Sequence, residues 1–255
     1  MSKKITKKPT IEITAFSLKD TVPHGKTSYI TVKNKKLGQS SRIWMKRQLN
    51  DEYTIRARAC GYRARSAFKL IEINDKFDIF NLGSRHLSQS MPKANTVLDL
   101  GAAPGGWTQV LVEKLKPKIL VALDLLEIEP IEGAAIIQND FTSVDGKNEI
   151  LQYAHEFDLI LSDIAPNTTG DESVDNLKLS YILEQEWAFV QHFLAKGGCF
   201  VSKIFMGGSE LEVISELKQN FKSVKYFKPK SSRKESKEIY VICLNFLKID
   251  ANTDA

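Results

Sequence analysis

Short apolar runs alternate with stretches of helical period along the second half of the chain. Thr96–Leu100 is an apolar run of strand length, ending in Gly101-Ala102-Ala103-Pro104-Gly105-Gly106, and a helix is predicted from there to about Leu115. Ile119–Leu123, Ala134–Gln138, Phe157–Leu161 and Cys199–Ile204 have the same strand-like character. A long helix is predicted from about Asn176 to Ala195, with Gly197-Gly198 supplying a left-handed C-cap. A helix over about 209–220 and strands around 222–228 and 238–246 follow. This alternation predicts an α/β fold with a seven-stranded, mostly parallel sheet and helices on both faces. Ligands of such sheets bind outside the carboxyl ends of the strands. Asp124, Asp140, Asp163 and Lys203 all fall at or near such ends.

The first half reads differently. Residues 1–40 form a basic N-terminal extension with short β-leaning pieces at Ile11–Phe16 and Ser28–Val32 and turn signals at Pro23, Gly25 and Gly38. A tail and a small strand pair both fit this pattern. Residues 41–75 read as a basic helical region. Ala64, Ala67, Phe68 and Ile71 recur at helical spacing and predict one apolar face, with Arg63, Arg65 and Lys69 on the other sides. The catalytic sheet is expected over 96–246, inside a domain of 41–250.

Composition narrows the class. Hydrophobic residues make up 42% and charged residues 26%, which excludes wholesale disorder. No apolar run is long enough to span a bilayer, and the lysine-rich start has no secretory h-region. Cys60, Cys199 and Cys243 are widely spaced and make no zinc pattern. A cytoplasmic protein with reduced thiols and no metal is the expectation.

The formal net charge of +5 conceals a segregation. Residues 1–70 carry 17 Lys/Arg against 4 Asp/Glu, residues 71–217 carry 10 against 23, and residues 218–238 carry 8 against 2. Two basic segments flank an acidic middle. A polyanion is the natural partner of the basic ones, because Lys and Arg displace condensed counterions from phosphates. Charge alone does not separate RNA from DNA or from an acidic protein.

Two local patterns carry chemistry. VLDLGAAPGGW is rich in glycine but is not GxGxxG, which disfavours a nicotinamide oxidoreductase. Without a phosphate cradle, the loop suits a nucleoside cofactor whose charged part is an amino-acid group. Asp124 follows Asp99 by 25 residues, at the end of the next strand, where a carboxylate can accept from ribose hydroxyls. Lys203 is the odd residue in the apolar run CFVSKIF. A lysine in a buried strand needs a partner, and Asp163 is the obvious one. A structural ion pair and a lysine poised to take a proton both fit.

Further motifs, in order, are RARSAFKL, VLDLGAAPGGW, LDLLEIEPI, LSDIAPNTTG, GGCFVSKIF and KPKSSRKESKEIYVI. On these, the chain from Ser41 to Phe246 resembles the FtsJ-type ribose 2′-O-methyltransferases. The resemblance implies a Rossmann-like methyltransferase fold with an antiparallel last strand. It implies a catalytic set of Lys69, Asp163, Lys203 and Glu238, with Lys203 as general base. It implies S-adenosylmethionine as cofactor, bound through Gly105, Trp107, Asp124, Asp140 and Asp163, with Gly101 and Asp99 in the same loop region. It implies as substrate a uridine of 23S ribosomal RNA in the large ribosomal subunit. A lysine serves as a base only when uncharged, a form that burial and a neighbouring cation favour. Arg63, Arg65, Lys230, Arg233 and Lys234 would then meet RNA phosphates, and Trp44 and Tyr62 fit either base stacking or core packing. Transfer RNA as substrate, and a non-enzymatic ribosome-assembly factor on the same fold, are the alternatives. Monomer is the simpler expectation for the oligomeric state.

The charge pattern makes its own prediction. RNA affinity should fall steeply and log-linearly with salt, and replacing the lysines and arginines of 218–238 should shallow the slope; a flat salt response in a filter-binding titration would contradict it.

Overall fold

A computed structural model of the chain describes residue 38 and residues 50–83, 93–166, 169–205, 210–233 and 235–248. The expectations for the strand pieces of residues 1–40, for Trp44 and for Lys234 lie outside the described residues. The chain divides into two compact units, residues 1–55 and 56–255. The Asp51 carboxylate accepts from the Thr54 N–H at 2.9 Å and its hydroxyl at 3.0 Å, opening helix α1 (Glu52–Ala59).

In the second unit, α2 spans Ala67–Phe77 and seven strands form one sheet. They are β1 (Thr96–Leu100), β2 (Ile119–Asp124), β3 (Ala135–Gln138), β4 (Phe157–Ser162), β5 (Leu194–Phe205), β6 (Phe221–Phe227) and β7 (Glu238–Phe246). The spatial order is β3-β2-β1-β4-β5-β7-β6. β2 and β4 both pair with β1 in parallel, β3 with β2 and β5 with β4 likewise, while β7 runs antiparallel to β5 and β6. The strand order reverses between β1 and β4. That reversal opens a crevice at their carboxyl ends, where Gly101 and Asp163 begin their loops.

Alternation along the strands assigns two cores. On β5, Cys199 and Val201 join Ala67, Leu70, Ile73, Trp107, Val110 and Tyr240 on one side. Phe200 and Ile204 join Leu183, Trp187, Val190 and Leu217 on the other. The second group comes from α5 (Glu172–Phe193) and α6 (Leu211–Asn220). Lys203 shares the register parity of Cys199 and Val201, and Ser202 that of Phe200 and Ile204.

Three elements differ from the sequence reading. Helix α2 begins at Ala67, so its buried positions are Ala67, Phe68, Lys69, Leu70, Ile73 and Phe77, and Ile71 is half-buried. The spacing read through Ala64 included a turn, which rotated the face. Helix α5 starts at Glu172, with Asp171 accepting from the Ser173 and Val174 N–H groups, and passes directly into β5. Gly197 and Gly198 are not its cap. Leu194 pairs with Phe157 and Cys199 with Leu159, so residues 195–198 bulge out of register, and a Cβ at Gly198 would lie 2.9 Å from the Asp158 carbonyl oxygen. Between β3 and β4 stands a helix absent from the sequence reading, α4 (Val144–Leu151), capped by Ser143, whose hydroxyl accepts from Gly146 N–H at 2.9 Å. Asp145-Gly146 inside VDGKNEIL resembles turn chemistry and hides the helix. The helix after the glycine loop, α3 (Gly106–Val110), runs on as a π turn over Leu111–Leu115.

Gly146 holds α4 against the end of β3. A Cβ there would sit 2.1 Å from the Asp140 carbonyl oxygen. Gly146→Ala should therefore lower unfolding stability by about 1–3 kcal/mol in a denaturant titration, as overpacked sites do; an unchanged midpoint would contradict this contact.

Candidate active site

Asp163 follows β4, Lys203 lies near the carboxyl end of β5, Lys69 on the third position of α2 and Glu238 at the start of β7. The fold brings all four together. Lys203 Nζ donates to the Asp163 carbonyl oxygen at 2.6 Å and to Asp163 Oδ1 at 3.0 Å. Lys69 Nζ lies 3.7 Å from the same Oδ1 and 3.5 Å from Glu238 Oε2. The Tyr240 hydroxyl donates to Asp163 Oδ1 at 2.6 Å. Lys203 is only 4% exposed and Lys69 only 8%, so both ammonium groups are largely withdrawn from water. Burial raises the Asp163 pKa, but the two ammonium groups and the tyrosine hydroxyl outweigh it and hold the carboxyl below its ordinary value. Burial and the Asp163 charge push the Tyr240 hydroxyl well up, so it stays a donor.

The glycine loop is built by close approach. Gly101 has φ +67, and a Cβ there would lie 2.4 Å from Ile164 Cγ1, on the segment that follows Asp163. Gly105 has φ +106 and faces Ile131 Cδ1 and the Arg63 side chain. Asp124 closes the loop from β2. Its Oδ2 accepts from Ala103 N–H at 2.9 Å and its Oδ1 from Leu126 N–H at 2.8 Å. Asp140 accepts from the Thr142 N–H and hydroxyl at 2.8 and 2.7 Å. Asp99 is buried on β1. Its Oδ2 accepts from the Thr108 hydroxyl at 2.7 Å, and its Oδ1 has no partner.

Two of the predicted site residues also have structural partners. The Trp107 side chain is buried, donates its indole N–H to the Ser66 carbonyl at 2.8 Å and packs on Tyr240 with ring centroids 5.7 Å apart. It braces the Tyr240 side of the site. Arg63, expected on an RNA phosphate, donates to the carbonyls of Glu129 at 2.6 Å, Pro104 at 3.2 Å and Pro130 at 2.9 Å. Its guanidinium clamps the glycine loop to the turn after β2.

The two basic segments meet beside the site. Arg65 donates to the Ser231 carbonyl. Glu72 of α2 accepts from the Lys230 and Ser231 N–H groups at 2.5 and 3.0 Å. Lys230 and Arg233 thus lie in a loop anchored to the helix that carries Lys69. Sequence reasoning missed Glu72, Tyr240 and Glu186. Glu186 is 1% exposed on α5 and accepts from the hydroxyls of Ser162 and Ser202, each at 2.5 Å. The two serines immediately precede Asp163 and Lys203, which was a signal in LSD and VSK that went unused. Among the described residues no group of His, Cys, Asp and Glu has the arrangement of a metal site, and no helix is long and apolar enough to cross a membrane.

A lysine–carboxylate cluster at the switch point of this sheet, beside a glycine loop lined by acidic strand ends, defines a Rossmann-like transferase. The FtsJ-like methyltransferase family model matches residues 62–246, and the chain belongs to that family. The Ribosomal RNA large subunit methyltransferase E of Granulibacter bethesdensis is 43% identical over 227 residues, covering 89% of this chain and 93% of that protein. Its namesake in Rickettsia bellii is 43% identical over 229 residues, covering 86% and 96%. A crystal structure of a ribosomal RNA methyltransferase from Plasmodium falciparum superposes with a TM-score of 0.59 at 33% identity, covering 73% of this chain and 99% of that one.

The buried carboxyls set a pH response. Burial pushes Asp99 up to about 7, aided by the Asp163 and Asp124 charges and opposed by the Thr108 hydroxyl. Burial likewise pushes Glu186 up to about 7 against its two serine donors. Between the ordinary carboxyl pKa and about 7 the folded chain holds protons that the unfolded chain has released, so stability falls as pH rises through that window. Asp99 alone accounts for a loss on the order of 4 kcal/mol. Asp99→Asn should flatten the fall in unfolding free energy of the free protein between pH 4.5 and 7.5; an unchanged slope would show that Asp99 is ionised throughout.

Proposed function

We propose that the chain transfers the methyl group of S-adenosylmethionine to the ribose 2′-OH of a uridine in 23S ribosomal RNA of the large subunit, with Lys203 taking the hydroxyl proton. The convergence of Lys69, Asp163, Lys203 and Glu238 from four separate elements carries this reading. The names of the relatives in Granulibacter and Rickettsia support the ribosomal substrate. The cytoplasm, where ribosomes assemble in bacteria, is the compartment this implies.

The residues present fit the cofactor. The strand ends offer carboxylates, the loop lacks a pyrophosphate cradle, and the buried, unpartnered Asp99 Oδ1 offers an acceptor beside it. An acidic acceptor set suits a nucleoside carrying an ammonium and a sulfonium. Asp124 and Asp140 would take ribose and base groups with the acceptor sites that their backbone partners leave open. The main chain at Gly101, Gly105 and Trp107, with Asp99 and Asp163, would hold the amino-acid end. When bound, the cofactor supplies a methyl group activated by positively charged sulfur.

The chain's own residues do the rest. Lys203 would take the proton of the ribose hydroxyl as that oxygen accepts the methyl group. Asp163 fixes the position of the Lys203 amine through two acceptors. Lys69, tied to Glu238, stands beside the same carboxylate as a second cation. Arg65, Lys230 and Arg233 would meet the RNA backbone around the mouth, with Arg63 holding the glycine loop.

Lys203→Ala should lower methyl transfer to isolated large subunits by about 10²–10⁴-fold while cofactor binding persists, with the product mapping to a uridine 2′-oxygen. A near-normal rate would overturn the base assignment, and methylation confined to transfer RNA would overturn the substrate.

A further inference from the structure

Behind the candidate active site, on the opposite face of the sheet, lies a buried polar cluster that the mechanism above does not use. Glu186 projects from α5 and is nearly inaccessible. A carboxyl buried in an apolar layer is costly unless both oxygens find donors. Here each does: Ser162 Oγ donates to Oε1 and Ser202 Oγ to Oε2, both at 2.5 Å. The apolar residues of this layer include Leu183, Trp187, Phe189, Phe200 and Ile204. Trp187, one residue on, turns its indole N–H away to Glu216.

The two serines are register partners across the β4–β5 pair. Each immediately precedes a member of the lysine–carboxylate pair, Asp163 and Lys203. Ser162 Oγ also accepts from Ile164 N–H at 3.3 Å, so the hydroxyl brackets Asp163 from both sides along the chain. Strand alternation puts Ser202 and Lys203 on opposite faces. A slip of β4 against β5, or a rotation of either strand end, would therefore move both the serine on one face and the acid or base on the other.

We propose that Glu186 is a positioning residue: by bridging Ser162 and Ser202 it locks the ends of β4 and β5 together and so sets the distance and direction between Asp163 and Lys203. This rests on the proton-accepting role of Lys203 given above. The Glu186 carboxyl reaches no reacting atom; it works through the two strands. Burial raises its pKa, and the two serine hydroxyls and the more distant Lys203 charge only partly oppose that.

The test compares Glu186→Leu, Glu186→Gln and the pair Ser162→Ala/Ser202→Ala in single-turnover methylation of large subunits at saturating cofactor. Glu186→Leu should slow the chemical step by about 10- to 100-fold with KM for RNA unchanged, as small misplacements of reacting groups do. The double serine variant should match it, and combining all three substitutions should slow the reaction no further. Glu186→Gln, which keeps one acceptor and gains one donor for a reoriented serine, should recover most of the rate. A normal rate in Glu186→Leu, or equal loss in Gln and Leu, would overturn the proposal. If Glu186→Leu does not fold, Ser202→Ala carries the same comparison. In the free protein, the ¹⁵N signal of Lys203 Nζ should shift in Glu186→Leu and return in Glu186→Gln. An unmoved signal would overturn the positioning role even if the wild type proved inactive on RNA, an outcome that would overturn the function reading alone.

Discussion

One carboxylate oxygen, Asp163 Oδ1, accepts from Lys203 and Tyr240 and faces Lys69. These groups come from β5, β7 and α2, so the position of Asp163 ties three elements to the end of β4. Two buried lysines beside one another would repel and lose their hydration without a counter-ion. Asp163 and Glu238 supply that neutralisation, and the packing of Trp107 on Tyr240 holds the tyrosine donor in place. The site is therefore part of the core rather than an addition to its surface.

The sheet topology explains why this cluster meets a cofactor site. The strand order turns at β1/β4, so the glycine loop after β1 and Asp163 after β4 share one crevice. The clearance between Gly101 and Ile164 is too small for a side chain, and it is this closeness that brings loop and cluster together. Charge follows the same division. The acidic strand ends surround the glycine loop, while the basic segments are joined to each other through Glu72 and Arg65.

Much of this was legible in the chain. The β1 run ends where Thr96–Leu100 ends, and Lys203 stood out because a charge interrupts an apolar strand. Asp163 followed as its partner because both lie at adjacent strand ends. The roles of Lys69 and Glu238 came from resemblance alone, since neither stands out by pattern. Lys69 looked like a solvated helix position until the start of α2 at Ala67 turned it inward. The packing partners of Trp107 and Arg63 were hidden for a shared reason: spacing identifies a loop, but whether a side chain points into the crevice or back into the protein depends on neighbours far along the chain. For Trp107 the neighbours are Ser66 and Tyr240, and for Arg63 they are Glu129 and Pro130. Glu186 was invisible because, among the glutamates of α5, only the facing serines of β4 and β5 distinguish it.

In the proposed mechanism the Asp163 carboxylate holds both lysines in position, and this role is the one on which the rest depends. It is tested most directly by Asp163→Asn, which keeps the shape and removes the charge. Measured in single turnover with saturating RNA and cofactor, methyl transfer should fall by about 10²-fold or more while the melting cooperativity and RNA affinity are retained. A rate within a few-fold of the wild type would contradict the account.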